Sequence, residues 1–205
     1  CYQPDVVKAD EVNDPNMATS SAQIGSAAAW AAGYTGAGTR IAVIDTGLDT
    51  DHQSFDESAF LYSLAHQAGL KGEEAESYVA GLDLLDVDEI AAVQDKLNIS
   101  IDPAQTFLSQ KVPFAYDYAD KDNNVADNNG HGTHVAGTAV GYSASSDGGV
   151  IMSGGAPAAQ LVAMKIFQDA GGGTSSDIYF SALEDAYTLG VDVVNMSLGT
   201  AAGFS

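Results

Sequence analysis

Arg40-Ile41-Ala42-Val43-Ile44-Asp45-Thr46-Gly47 is the stretch that decides how this chain is read. Ile41 to Ile44 are four apolar residues in a row, without the polar alternation of a half-solvated strand. Such a run fits a strand covered on both faces, the type found in parallel sheets. An aspartate closing it stands at the carboxyl edge of the sheet, where α/β proteins present ligand-contacting groups. Gly47 lets the chain turn away at once. Taken alone, Asp45 is equally a turn carboxylate accepting backbone N–H bonds. Asp45-Thr46-Gly47 is also the local signature of aspartic peptidases, but that chemistry wants an antiparallel β protein with a second such carboxylate.

Outward from this strand the same grammar recurs. Val112 to Tyr118 reads as a short strand, and Thr133 to Val140 as a buried helix in which Ala136, Gly137 and Ala139 allow close backbone approach. Gln160 to Ile166 is a strand; Ser176 to Leu189 has helical spacing in Ile178, Leu183, Ala186 and Leu189 and stops at Gly190; Val191 to Met196 is the next strand. Strand, helix, strand, helix, strand is the order of a parallel sheet with crossover helices, so the expected fold class is α/β. Upstream, residues 1–23 are polar and acidic with two prolines and read as an extended arm, followed by a short helix from Ile24 to Ala32. Residues 56–110 differ in character. Eleven acidic residues stand there against Lys71 and Lys96 alone, with helical spacing in Phe60-Leu61-x-x-Leu64 and Ile90-x-x-Val93-x-x-x-Leu97. They are expected to form a mostly helical acidic insertion on the surface, too long for a plain loop and too poor in apolar residues for a domain of its own.

Composition narrows the function. Seven Lys and Arg against 28 Asp and Glu leave a formal charge of −21 over 205 residues. A field of that sign repels nucleic acid and acidic membrane surfaces alike. A hydrophobic fraction of 45% is too high for a disordered acidic chain. No run of 18 apolar residues exists to span a bilayer. Cys1 is the single cysteine, so neither an intrachain disulfide nor a four-thiolate zinc site can form, and a lipidated Cys1 is the one special role left to it.

His131-Gly132-Thr133-His134 is the second informative stretch. Two histidines three apart share a helix face and invite a metal, but no Glu/His spacing of a metallopeptidase helix accompanies them. In the competing reading His131, exposed by the turn Asn128-Asn129-Gly130, is a base at a helix start, and His134 supports the helix. A buried aspartate against one ring nitrogen of His131 would fix its tautomer and stabilise its imidazolium. The nucleophile stays open between Ser153 and Ser197. Asp120, Asp122, Asn124 and Asp127 alternate as oxygen donors and form a calcium candidate, without the glycine and closing glutamate of an EF-hand.

Three blocks together resemble the subtilisin-like serine peptidases, in that family's order. They are Ile41-Ala42-Val43-Ile44-Asp45-Thr46-Gly47-Leu48-Asp49, His131-Gly132-Thr133-His134-Val135-Ala136-Gly137-Thr138 and Val194-Asn195-Met196-Ser197-Leu198-Gly199. The likeness runs from about Ile24 to Ser205, interrupted by the insertion. The insertion and Lys111-Val112-Pro113-Phe114-Ala115-Tyr116-Asp117-Tyr118 resemble the cell-envelope branch, the lactocepins and streptococcal C5a peptidases. The resemblance implies that Asp45 and His131 are the triad's aspartate and histidine. It implies that Ser197, Leu198 and Gly199 bind substrate by main-chain pairing, with Ser197 lining the cleft rather than attacking, and that Gly171, Gly172 and Gly173 form the facing edge of the peptide groove.

That family's nucleophile lies in a Gly-Thr-Ser-x-Ala-x-Pro segment, with an oxyanion asparagine between it and the Ser-Leu-Gly strand. Neither block occurs in these 205 residues. The expectation is that residues 24–205 are the N-terminal part of a peptidase domain. Its C-terminal half, as continuing chain or as a separate processed polypeptide, would bring serine and asparagine. Such an enzyme hydrolyses peptide bonds of protein or peptide substrates without an organic cofactor. Structural calcium is common in the family, although Ser54 stands where many relatives have a calcium-binding aspartate. The implied location is secreted or attached to a bacterial cell wall. The alternative, a non-catalytic subtilisin-like binding or regulatory module, is decided by the residue at the nucleophile position.

Overall fold

The computed structural model describes residues 18–99, 101–144, 149–171 and 173–199. At its centre β1 (Arg40–Asp45), β2 (Phe114–Asp117), β5 (Gln160–Lys165) and β6 (Val193–Asn195) form a parallel sheet in the order β2-β5-β1-β6. The strand pattern expected from Ile41 to Ile44 is the pattern observed. Ala42, Val43 and Ile44 are buried, and side chains alternate between two separate cores. Ala42 and Ile44 join Phe114, Tyr116, Val162 and Met164 against Ala182 and Ala186 of helix α8 (Ser176–Thr188) and Leu189 at its end. Val43, with Ile41 beside it, joins Ala115, Leu161 and Ala163 against Ala136 and Val140 of helix α7 (His131–Val140). Asp45 follows Ile41 and Val43 in the alternation, so the sheet itself aims its carboxylate at the α7 face.

A small antiparallel hairpin of β3 (Tyr142–Ala144) and β4 (Val150–Ser153) lies beyond α7 and was not expected. Its strands are three and four residues long, too short to show a period. At the N-terminal end, α1 (Ala18–Ile24) and α2 (Ser26–Ala31) replace the single helix expected from Ile24. The last residues of the segment read as an extended arm are therefore helical. Gly25, at φ 78°, makes the break between them.

The acidic insertion is mostly helical, as its spacing indicated: α3 (Glu57–Gln67), α4 (Glu73–Ala80), α5 (Val87–Val93) and α6 (Pro103–Thr106). Asp86 with Glu89, and Asp102 with Gln105, close reciprocal caps at the starts of α5 and α6. Its placement corrects the expectation of a surface appendage. Leu85, Ile90, Leu97 and Ile99 lie in the same core as Ala42, Ile44 and α8. Fully burying a side chain such as Ile90 stabilises by about 2 kcal/mol. Four polar pins add direction. Arg40 donates to Asp83, to Glu89 and to the Leu189 carbonyl. The buried Gln160 amide bonds both backbone groups of Leu85 and the Gln110 carbonyl. Asp185 accepts from the backbone and side-chain amides of Asn98 and from the Tyr118 hydroxyl.

The fourth pin is Lys111, fully buried with no carboxylate beside it. Its Nζ donates to the carbonyls of Val140, Pro157 and Ala159 at 2.6, 3.1 and 2.7 Å and sits 4.9 Å over the Phe60 ring of α3. All three ammonium donors are thereby used, one of them on the last turn of α7, the end of a helix that favours a cation. Burial nevertheless pushes its pKa down to about 7.

Candidate active site

The carboxyl ends of β2, β5 and β1 carry three ionisable residues in register: Asp117 opposite Lys165, and Lys165 opposite Asp45. Lys165 is committed away from Asp45. Its Nζ makes a short ion pair with Asp117, lies 2.9 Å from Asp169 and 3.8 Å from Asp120. Burial disfavours its charge, but the Asp117 and Asp169 carboxylates outweigh that and raise its pKa. Asp45 is thus left to another partner.

That partner is His131. Asp45 Oδ1 lies 2.7 Å from His131 Nδ1 and accepts the Thr46 N–H at 2.7 Å. The carboxylate side chain is 1% exposed and the imidazole 47% exposed. The two residues are 86 positions apart in sequence, and the insertion fills most of that interval. The Asp45 hydrogen bond and its charge raise the His131 pKa above the ordinary histidine value, against a small opposing effect of burial. The Nδ1 side of the ring is held, while no hydrogen bond to Nε2 occurs among the described residues. A half-exposed imidazole with one nitrogen on a buried carboxylate and the other free is the arrangement a general base requires.

Local chain geometry forces this approach. Gly130 begins α7 in the left-handed region at φ 87°. Gly132 packs its Cα against the turn after β1, where an added Cβ would lie 2.3 Å from the Gly47 carbonyl oxygen. Gly47, at φ 131°, has the Val125 and Ala126 carbonyls against its own open side. Gly132 lets the start of α7 touch the β1 turn backbone to backbone, while Gly47 lets that turn touch the segment at Val125 and Ala126. The Gly132 N–H then reaches Thr46 Oγ1 at 2.9 Å.

The other sequence candidates divide. Gly171 and Gly173 lie exposed on the segment after β5, and Ser197, Leu198 and Gly199 lie after β6. Since β5 and β6 are the two parallel neighbours of β1, both segments leave the sheet at the edge where Asp45 stands. Gly172 and Cys1 fall outside the described residues. Ser197 Oγ donates to Asn195 Oδ1 at 3.0 Å, within its own segment. Ser153, the other nucleophile candidate, lies in β4 with its hydroxyl on the Gly154 carbonyl.

Among the described residues, the one group of three acidic or metal-binding side chains that converges is Asp117, Asp120 and Asp169. His131 and His134 are not part of such a group, nor are Asp122 and Asp127. The quartet Asp120, Asp122, Asn124 and Asp127 therefore does not supply its three carboxylates to one point. Asp122 and Asn124 instead cap their own turns, accepting the N–H of Asn124 and Ala126. The three carboxylates that do converge could hold a cation, with the Lys165 ammonium already among them. Sequence spacing missed this cluster because Asp169 lies on a different loop from Asp117 and Asp120. His134, exposed one turn along α7, lines a cavity of about 500 Å³ with Asp49, His52, Ile151 and Met152.

Comparison with known proteins fits this geometry. Residues 36–204 match the Subtilase family. The chain is 30% identical over 177 residues to the PI-type proteinase of Lactococcus lactis subsp. cremoris, covering 83% of this chain and 8% of that protein. It is 29% identical over 195 residues to the minor extracellular protease Vpr of Bacillus subtilis (strain 168), covering 95% of this chain and 18% of that protein. It is 31% identical over 168 residues to the C5a peptidase of Streptococcus pyogenes serotype M18 (strain MGAS8232), covering 82% of this chain and 13% of that protein. The chain spans about 8% of the length of the lactococcal relatives it matches.

Proposed function

The chain belongs to the subtilase family, and from that premise we propose that it carries the acid–base half of a serine endopeptidase, with Asp45 and His131 as its catalytic residues. The observation that carries the reading is the 2.7 Å contact between Asp45 Oδ1 and Nδ1 of the half-exposed His131 ring. The nucleophilic serine and the oxyanion asparagine come from polypeptide outside these 205 residues. The edge of β6 supports such a partner: β6 pairs with β1 alone among the described strands, and Val193 and Val194 are 54% and 39% exposed.

In this mechanism His131 Nε2 takes the serine proton as Oγ bonds to the scissile carbonyl carbon. Asp45 stabilises the imidazolium that results, and the oxyanion receives hydrogen bonds from the asparagine and backbone. The C–N bond then breaks as His131 returns the proton to the leaving amine, and water repeats the sequence on the acyl-enzyme. The substrate is an extended protein or peptide segment lying between Gly171–Gly173, whose missing side chains admit a close backbone, and Ser197–Gly199, which pairs with it through the main chain. The relative named as an extracellular protease supports a secreted or cell-wall-associated protein. Residues 24–205 with the insertion at 56–110 act as one unit, the insertion being pinned into the core.

The test is fluorophosphonate labelling and peptide cleavage by the polypeptide that bears this chain and its serine. His131→Ala is expected to lower kcat/KM by about 10⁴-fold or more. Cleavage that survives His131→Ala refutes the assignment. Absence of any labelling in the unaltered protein favours the non-catalytic binding module instead.

A further inference from the structure

Asp127 lies four residues before His131, on a segment without regular structure. Its carboxylate is the most heavily bonded side chain near the pair. Oδ1 accepts from Thr46 Oγ1 at 2.9 Å, from Asn129 N at 3.1 Å and from Gly130 N at 2.9 Å. Oδ2 accepts from Thr133 N at 2.8 Å and from Thr133 Oγ1 at 2.7 Å. These donors stand on both sides of the contact that matters. Thr46 adjoins Asp45, while Gly130 and Thr133 bracket His131. Thr46 Oγ1 also accepts from Gly132, and Thr133 Oγ1 accepts from Asp49, so both hydroxyls pass the linkage on.

We propose that Asp127 is a positioning residue for the reaction: it clamps the end of β1 to the start of α7 so that His131 Nδ1 meets Asp45 Oδ1, and its charge offsets the helix terminus beneath the imidazole.

The helix needs this. Gly130 occupies the cap position of α7 without a side chain; Thr46 Oγ1 accepts the Gly132 N–H, and Asp127 supplies the acceptor for the N–H groups of Gly130 and Thr133. A helix N-terminus carries roughly half a positive charge, which on its own disfavours an imidazolium at the first helical residue. An imidazolium at His131 is the species that proton transfer creates. The charged groups facing His131 are Asp45 on β1 and Asp127 on the preceding segment, and both raise its pKa. Partial burial of Asp127 opposes its own ionisation, but the hydrogen bonds from Thr133, Gly130 and Thr46 outweigh that and lower its pKa. It is therefore a carboxylate throughout the neutral range. All five of its partners are donors, so an isosteric amide cannot replace it: an NH2 group would oppose either the Thr133 pair or the three donors at Oδ1.

This inference rests on the peptidase reading and is tested where the two can fail separately. Asp127→Asn is compared with the unaltered protein in peptide cleavage across pH, and His131 is titrated in both by NMR of ring-labelled histidine. Expected are a fall in kcat of about 10²-fold with KM nearly unchanged, and an acid limb and a His131 titration both displaced to lower pH. A lower melting temperature with kcat and both titrations in place marks a purely structural residue and overturns the proposal. Should Asp127→Asn not fold, Thr133→Ala removes one Oδ2 contact and keeps the charge. A fall in kcat of about threefold or more with the acid limb in place supports the proposal; unchanged kcat overturns it. If the unaltered protein cleaves nothing, the peptidase reading fails, and the His131 titration alone then decides the role of Asp127.

Discussion

Replacing Gly132 with alanine tests whether backbone contact between the β1 turn and α7 seats the histidine. Gly132 has ordinary helical φ, so alanine meets no conformational penalty there. The obstacle is space. A Cβ would stand 2.3 Å from the Gly47 oxygen, 2.9 Å from the Gly47 nitrogen and 3.2 Å from the Thr46 nitrogen, against an ordinary contact of 3.4–4 Å. All three obstacles are backbone, so the start of α7 must retreat by about 1 Å. Overpacking of this kind costs about 1–3 kcal/mol, and the Gly132–Thr46 hydrogen bond adds about 1 kcal/mol when lost. Better helix propensity returns up to about 1 kcal/mol. The expected net loss is about 1–4 kcal/mol in urea unfolding. The same retreat draws His131 from Asp45, and a 1 Å misplacement can lower kcat/KM by about 10²-fold. Gly137→Ala is the control on the same helix. Its nearest neighbour is the movable tip of Met152 at 3.3 Å, and the roughly 1 kcal/mol of helix propensity gained offsets that contact, so stability should not fall by more than about 1 kcal/mol. Wild-type stability and rate in Gly132→Ala would refute the argument that this approach sets the pair.

Two further outcomes follow from the buried lysines. Lys111→Met leaves the Val140, Pro157 and Ala159 carbonyls without their donor and should cost about 3 kcal/mol. Lys111 is pushed down to about 7 in the fold and lies at about 10.4 when unfolded. The unfolded chain therefore binds the extra proton between those values, and the stabilisation grows as pH rises across that window and fades toward 7. Unfolding curves of both proteins from pH 7 to 10 should show the wild type gaining relative to Lys111→Met, and parallel curves would contradict this. Lys165→Met strips the buried Asp117 of its counter-charge and should cost about 3–5 kcal/mol at neutral pH. Acidification should shrink that loss by protonating the carboxylate, and added calcium should recover part of it through Asp117, Asp120 and Asp169. Neither treatment should help the wild type comparably.

The parts of the fold that were legible share a cause. Ile41 to Ile44 and Leu161 to Met164 are unbroken apolar runs whose burial on both faces allows few alternatives, and the α7 and α8 segments run over two turns or more. Asp45 and His131 were legible as chemistry before they were legible as neighbours. Only the three sequence blocks together joined them across 86 positions. What stayed hidden depends on groups that meet only after folding. Lys111 and Gln160 are single polar residues in strand-like sequence, and nothing local says that three carbonyls or a leucine backbone await them. Alternating oxygens make Asp127 a calcium candidate in the sequence, whereas its five partners in the fold are N–H and O–H groups of its own chain. The acidic count of the insertion masks its apolar residues, of which Leu85, Ile90, Leu97 and Ile99 enter the core that the sheet shares with α8 while Phe60 and Leu64 build a smaller cluster of their own.

Glu57 Oε1, near the start of that insertion, accepts the backbone N–H of Gln110 at its end with an N–O distance of 2.7 Å. The segment therefore leaves and re-enters the sheet through one narrow doorway. Extra residues added far from it, around Gly69 and Gly72, where no atom crowds the backbone, lengthen a loop whose mouth is already closed. Lengthening such a loop twofold costs only about 0.6 kcal/mol. A tag, epitope or fluorescent reporter spliced at that tip should ride on the protein without disturbing the distance between Asp45 and His131.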